Sequence, residues 1–215
     1  MKKNIINEIS TLVRSGKIAQ AVDLIGNRTQ VLTADDEFGV PLAHLFALAG
    51  ELGALKHVLN QSALETLWGP NWTVAHVAAA TGFLDALERP LARVRHLLYW
   101  PDAWGNSPVH IAARHGNLQQ ITHLLETPHL VQRNRLFSTP IHIAAMNHHL
   151  DQIASKLTPS LLVLLDSSGE SVLSVAKRNC SVDQLPEELV WETEFLSDPN
   201  KRTLKSVLQH AGLKR

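Results

Sequence analysis

A histidine returns along this chain at a nearly constant interval. His44, His76, His110 and His142 follow one another at a spacing of about 33 residues, and Ser174 continues the series. Periodicity of this length calls for a stack of similar units. Each unit is too small to bury its own apolar face, so neighbours supply one another's core. The repeat extends beyond the histidine itself. Ser107-Pro108-Val109-His110-Ile111-Ala112-Ala113 is echoed by Thr139-Pro140-Ile141-His142-Ile143-Ala144-Ala145. Thr73-Val74-Ala75-His76-Val77-Ala78-Ala79 and Pro41-Leu42-Ala43-His44-Leu45-Phe46-Ala47 are weaker copies, and Ser171-Val172-Leu173-Ser174-Val175-Ala176 is a degenerate last one. One further step back from His44 reaches Ser10, inside the helical pattern Ile5, Ile6, Ile9, Leu12 and Val13. Gly16 follows Ser10 at the same offset as Gly50 follows His44 and Gly116 follows His110. The N-terminus therefore reads as a divergent first unit.

The pattern Thr-Pro-Leu-His-x-Ala-Ala at a period of about 33 residues resembles the ankyrin repeat. The resemblance covers roughly residues 3–180. It implies an all-α solenoid of helix-turn-helix repeats, about five to six with divergent N- and C-terminal caps included. The expected organisation is a single ankyrin-repeat domain over 1–215. It divides into a divergent N-terminal repeat at 3–34, central repeats at 35–180 and C-terminal capping helices at 181–215.

Each repeat should be a tight turn followed by two antiparallel helices. The turns read as Asp36 to Gly39, Asp102 to Gly105 and Asp166 to Gly169, because Asp bonds its own backbone and Gly tolerates positive φ. Ser/Thr-Pro steps open the first helix, the hydroxyl capping and Pro fitting the first turn. Gly50, Gly82 and Gly116 fit its end. The apolar spacings Leu55, Val58, Leu59, then Ile121, Leu124, Leu125, then Ile153 and Leu157 predict a second helix in each repeat. Residues 83–101 carry two extra residues and Pro90, which predicts a lengthened or kinked second helix there. Asn71, Phe137 and Asn147-His148 stand where glycines are expected. Phe tolerates the left-handed region poorly, so the turn at Phe137 is expected to be reshaped.

Lys plus Arg and Asp plus Glu are 20 each, so net charge gives no reason to expect a nucleic acid or an anionic membrane surface as partner. Arg89, Arg93, Arg95 and His96 read as a solvated helix face. One cysteine, Cys180, cannot form an internal disulfide, and a reducing, cytoplasmic setting is the simple expectation. No apolar run reaches membrane-spanning length. Residues 181–200 hold six acidic residues and no Lys or Arg, whereas 201–215 hold five basic residues and no acidic one. Asp198-Pro199 with Leu204, Val207, Leu208 and Ala211 predicts a closing helix. That segment reads as a cap with a water-tolerant outer face, and alternatively as a secretion or partner signal.

Twelve histidines raise the question of metal or catalytic chemistry. The resemblance gives His44, His76, His110 and His142 a structural role, tying adjacent loops through hydrogen bonds to backbone. His148-His149 face apart on a helix and lack spaced companions, so no metal site is expected. Cys180 sits at a helix-closing glycine position and reads as packed or exposed rather than nucleophilic. No phosphate loop or hydrolase motif is present. No cofactor and no catalytic residue are expected, and the repeats leave too little chain for a catalytic domain.

What remains is a surface for another protein. The resemblance places the variable contacts at turn tips and along the exposed side of the first helix, lining a concave groove. In this register the tips carry Phe38, Val40, Trp72, Trp104, Asn106, Arg135 and Leu136. The helices carry Arg114, His115, Met146, Lys177 and Arg178. Phe38, Trp72, Trp104 and Leu136 form an apolar stripe, and Arg114, His115, Arg135, Lys177 and Arg178 a basic flank. The expectation is a monomer that binds a peptide or folded surface with apolar and acidic residues. The competing reading has Trp72 and Trp104 packing on neighbouring tips, and Trp68 packed as well. Diverged repeats of this kind also resemble secreted ankyrin-type effectors of bacteria, which act on a protein inside a host cell.

Overall fold

The computed structural model describes residues 2–87 and 95–197. Two helices open the chain, α1 (Lys2–Arg14) and α2 (Ile18–Ile25). Five further helices hold the repeated motif: α3 (Leu42–Leu48), α5 (Val74–Thr81), α6 (Pro108–His115), α8 (Pro140–Met146) and α10 (Val172–Arg178). They lie side by side in chain order, and α1 packs on α3. Short helices α4 (Gln61–Glu65), α7 (Thr127–Val131) and α9 (Pro159–Leu162) stand between them, and α11 (Glu187–Ser197) closes the described chain against α9. Among the described residues there is no β-strand, only bridges that pin three tips, Asp35 to Pro41, Trp68 to Trp72 and Leu165 to Ser171. The fold is an all-α repeat solenoid.

The paired alanines explain the close stacking. Ala78, Ala79, Ala112, Ala113, Ala144 and Ala145 are all fully buried between successive helices, where any longer side chain would hold the backbones apart. Larger residues then fill the second layer: Leu52, Leu55, Leu84, Leu87, Leu118, Ile121, Leu150 and Ile153 are also fully or nearly fully buried.

That second layer is not α-helical. The expected second helices are replaced by 3₁₀ turns at Leu52–Leu55, Leu84–Leu87, Leu118–Leu124, Leu150–Lys156 and Val182–Gln184. The reason lies in the apolar spacing. Leu52/Leu55, Leu84/Leu87, Leu118/Ile121/Leu124 and Leu150/Ile153 recur every three residues, and three residues per turn puts them on one ridge. In the 83–101 region the described parts are the 3₁₀ turns Leu84–Leu87 and Arg95–Tyr99; the expected lengthened or kinked helix falls partly outside the described residues. The expected closing helix after Asp198-Pro199 lies outside them altogether.

The turn at Phe137 keeps its shape, contrary to expectation. Phe137 takes a positive φ of 56°, and its amide donates to the Asn134 carbonyl at 3.0 Å, as the Gly105 amide donates to Asp102 at 3.0 Å. The fixed connection between neighbouring tips overrides the local preference, so Phe137 carries the strain. Its exposed ring lies under the Arg133 guanidinium, 5.5 Å from the centroid. Asn71, His148 and Cys180 also occupy the left-handed region, at φ 64°, 61° and 54°.

Candidate functional site

Successive units are held by three sets of hydrogen bonds that recur with the sequence period, two at the tips and one where the first helices end. The first set runs from the histidines. The Thr73 amide donates to His76 Nδ1 at 3.1 Å and the Thr73 hydroxyl lies 2.9 Å from the same nitrogen. Ser107 does the same for His110 at 3.1 and 2.9 Å, and Thr139 for His142 at 3.2 and 2.8 Å. An Nδ1 that accepts fixes the proton on Nε2. Nε2 then donates to the next loop: His76 to the Asn106 carbonyl at 3.1 Å, His110 to Ser138 at 3.1 Å, His142 to Glu170 at 3.3 Å, and His44 to Trp72 at 2.9 Å. Burial disfavours the charged ring. It holds His44 and His110 at about 4, with the carbonyl bonds to Trp72 and Ser138 opposing only in part. His76 and His142 are lowered for the same reason.

The second set lies within and between the tips. Asp102 Oδ1 accepts from the Trp104 and Asn106 amides at 2.8 Å each, and Asn134 Oδ1 from Leu136 and Ser138 at 2.9 and 3.1 Å. Asp36 plays this part for Phe38 and Val40, at 2.9 and 3.0 Å. Burial pushes the Asp36 carboxyl up, but bonds from Arg14, Ser10 and the two amides outweigh it and hold it below its ordinary range. Successive tips are then laced together. The Ala103 amide donates to Pro70 at 2.8 Å, Arg135 to Trp104 at 3.1 Å and Ser167 to Leu136 at 3.0 Å.

The third set is one that the sequence reading missed. Gln120, Gln152 and Gln184 recur at the repeat interval, each four residues after the left-handed residue that ends a first helix. Gln120 donates to the Gly82 carbonyl and accepts from the Leu84 amide at 2.9 Å. Gln152 donates to Gly116 at 2.6 Å, and Gln184 donates to His148 at 2.7 Å and accepts from Leu150 at 3.0 Å. The spacing is the signal that could have found them, and Ala54 and Ala86 at the equivalent positions of the two preceding units conceal it.

On this frame the expected contact residues divide. Phe38, Trp104 and Leu136 stand out at 68%, 57% and 66% exposure, joined by Phe137. Arg114, His115 and Arg135 are exposed beside them, and Met146 is half-buried. Val40 and Asn106 are buried instead. Each closes its turn onto the aspartate, and the Asn106 side chain is further engaged by Asp102 and by Asn134 at 2.9 Å. Trp72 is half-buried: its indole N–H reaches Asp102 Oδ2 at 3.3 Å and its ring stacks on His76. It braces the array, as does half-buried Trp68, set edge-on to His44 at 5.9 Å. Lys177 and Arg178 are exposed, but Lys177 pairs with Glu194 and Arg178 with Glu170 at 2.8 Å. The basic flank thus rests on Arg114 and Arg135, plus Arg133, because burial lowers the pKa of His115, with Arg114 and His149 adding to the effect, and favours its uncharged ring.

The ankyrin-repeat family model matches residues 104–134, from the tip carrying Trp104 to the start of the next one. The chain carries an ankyrin repeat. No curated protein matches it. Units on either side of the matched segment carry the same histidine bonds and buried alanine pairs. Ankyrin repeats generally mediate protein–protein interaction. Among the described residues no helix is long and apolar enough to cross a membrane, and no group of His, Cys, Asp or Glu is arranged to hold a metal ion.

Proposed function

We propose that the protein binds a partner protein across its turn tips and the adjoining ends of the first helices. The observation that carries this reading is the exposure of Phe38, Trp104 and Leu136 on tips that are themselves rigid. Exposed aromatics cost a monomer solubility, and on an ordered backbone they bind with little loss of side-chain entropy. Arg114 and Arg135 flank the central pair, so the partner segment presents apolar residues with an acidic neighbour. The site needs no cofactor, and a monomer suffices to display it.

The test is affinity selection with the folded chain, run beside Phe38→Ala/Trp104→Ala/Leu136→Ala. These residues are exposed, so the variant should keep its circular dichroism and unfolding midpoint. A partner recovered by the parent and lost by the variant supports the reading. A partner retained by a folded variant moves the site off the tips.

A further inference from the structure

Among the described residues the stack ends on an uncovered face. Val182 and Leu185 continue the second-layer rows of Leu118/Ile121 and Leu150/Ile153 at the repeat interval. The earlier members of those rows are fully buried, because the following unit lies on them. Leu185 is buried but Val182 is only half-buried, and with Val190 and Trp191 the two line an open cleft of about 500 Å³ between Val182–Gln184 and α11. Trp191 is 61% exposed and leans on Phe195 at 5.3 Å. Asp183, Glu187 and Glu194 rim the cleft. Residues 181–197 contain five acidic residues and neither Lys nor Arg, so this face is negative, with Lys177 reaching Glu194 at its edge.

We propose that this face is a docking surface for the chain's own residues 201–215. Three observations select that occupant. The segment carries Lys201, Arg202, Lys205, Lys214 and Arg215 with no acidic residue, opposite in sign to the rim. It also carries Leu204, Val207 and Leu208, the residue types that cover the equivalent rows elsewhere in the stack. And it begins three residues beyond Asp198, directly after the helix that forms one wall of the cleft, so a covalent link keeps its local concentration far above that of any free partner. Docking there would complete the burial that each earlier unit receives from its successor, and would leave the tip row untouched.

The full chain labelled with 5-fluorotryptophan tests this by fluorine NMR, with the Trp191 resonance assigned from Trp191→Phe. Lys201→Glu/Arg202→Glu/Lys205→Glu should shift the Trp191 resonance and increase its sensitivity to solvent deuterium, with the other four tryptophan resonances unmoved. Adding Asp183→Lys/Glu187→Lys to that variant should return Trp191 towards its original shift. A Trp191 resonance indifferent to the tail charges overturns the proposal and leaves the cleft to a separate partner. A shift that the compensating charges do not reverse overturns it equally, because the matching of charge would then play no part.

Discussion

The units around His110 and His142 and the unit around His44 differ at one position three residues before the histidine. In the first two that position is Ser107 and Thr139, and the imidazole is bonded at both nitrogens. In the third it is Pro41, which has neither a hydroxyl nor an amide hydrogen, and His44 Nδ1 is buried with no hydrogen-bond partner. His44 still reaches the Trp72 carbonyl at 2.9 Å. The histidine thus performs two separable tasks. Nε2 joins one unit to the next, and Nδ1 closes the start of its own helix. The early unit keeps the first task and forgoes the second.

The largest test of this comparison is acid. His44 and His110 stand at about 4 in the folded chain against an ordinary 6.5. The unfolded chain therefore binds more protons below 6.5, so stability is complete above that pH and is lost as pH falls towards 4. Between pH 7 and pH 5 each of the two should cost about 2 kcal/mol, read as a falling urea midpoint. A midpoint that does not move would show that these rings are not buried in the neutral form.

The two tasks separate next in substitution. His110→Leu strands the Ser107 amide and the Ser138 carbonyl, and should cost about 3 kcal/mol in denaturant unfolding. His44→Leu strands only the Trp72 carbonyl while removing an orphaned nitrogen, and should cost about 1 kcal/mol. Equal losses would mean that the Nδ1 bonds contribute nothing. The converse repair is Pro41→Thr, which supplies both missing donors and should raise stability by about 1 kcal/mol. A smaller gain, just under about 1 kcal/mol, is expected from Phe137→Gly, which relieves a left-handed residue that buries little area. A lower melting temperature in that variant would show that the Arg133 contact outweighs the strain.

The register of this protein is legible in sequence because its marker residues perform the same task in each unit. Histidine spacing locates the first helices, the tips and the left-handed closures, including Cys180 in a glycine's place. Phe38, Trp104 and Leu136 can be read as outward because the turn geometry that Asp36, Asp102 and Asn134 impose leaves those positions no inward path. The second layer is not legible as 3₁₀: Leu118, Ile121, Leu124 and Leu125 satisfy a helical period as well as a three-residue one, and Gln120 and Gln152 supply the deciding bonds from another unit. Trp72 reads as a contact residue because its hydrogen-bond acceptor, Asp102, lies in the following unit, far along the sequence. Lys177 reads as free for the same kind of reason, because its carboxylate partner Glu194 comes from α11. The partner of Arg178, Glu170, stands in the tip of its own unit just before α10, and the repeat period alone does not pair the two.

The most direct measurement is a binding titration of a selected partner against two variants with opposite assignments. Trp104→Ala removes an exposed tip residue, and Trp72→Phe removes a brace. Trp104→Ala should weaken binding about 30-fold or more with little change in unfolding midpoint, the loss expected when an interface anchor is truncated. Trp72→Phe should lower the midpoint and leave the affinity nearly intact. The reverse pattern, with affinity lost at Trp72 and retained at Trp104, would contradict the assignment of the exposed tip row as the binding surface.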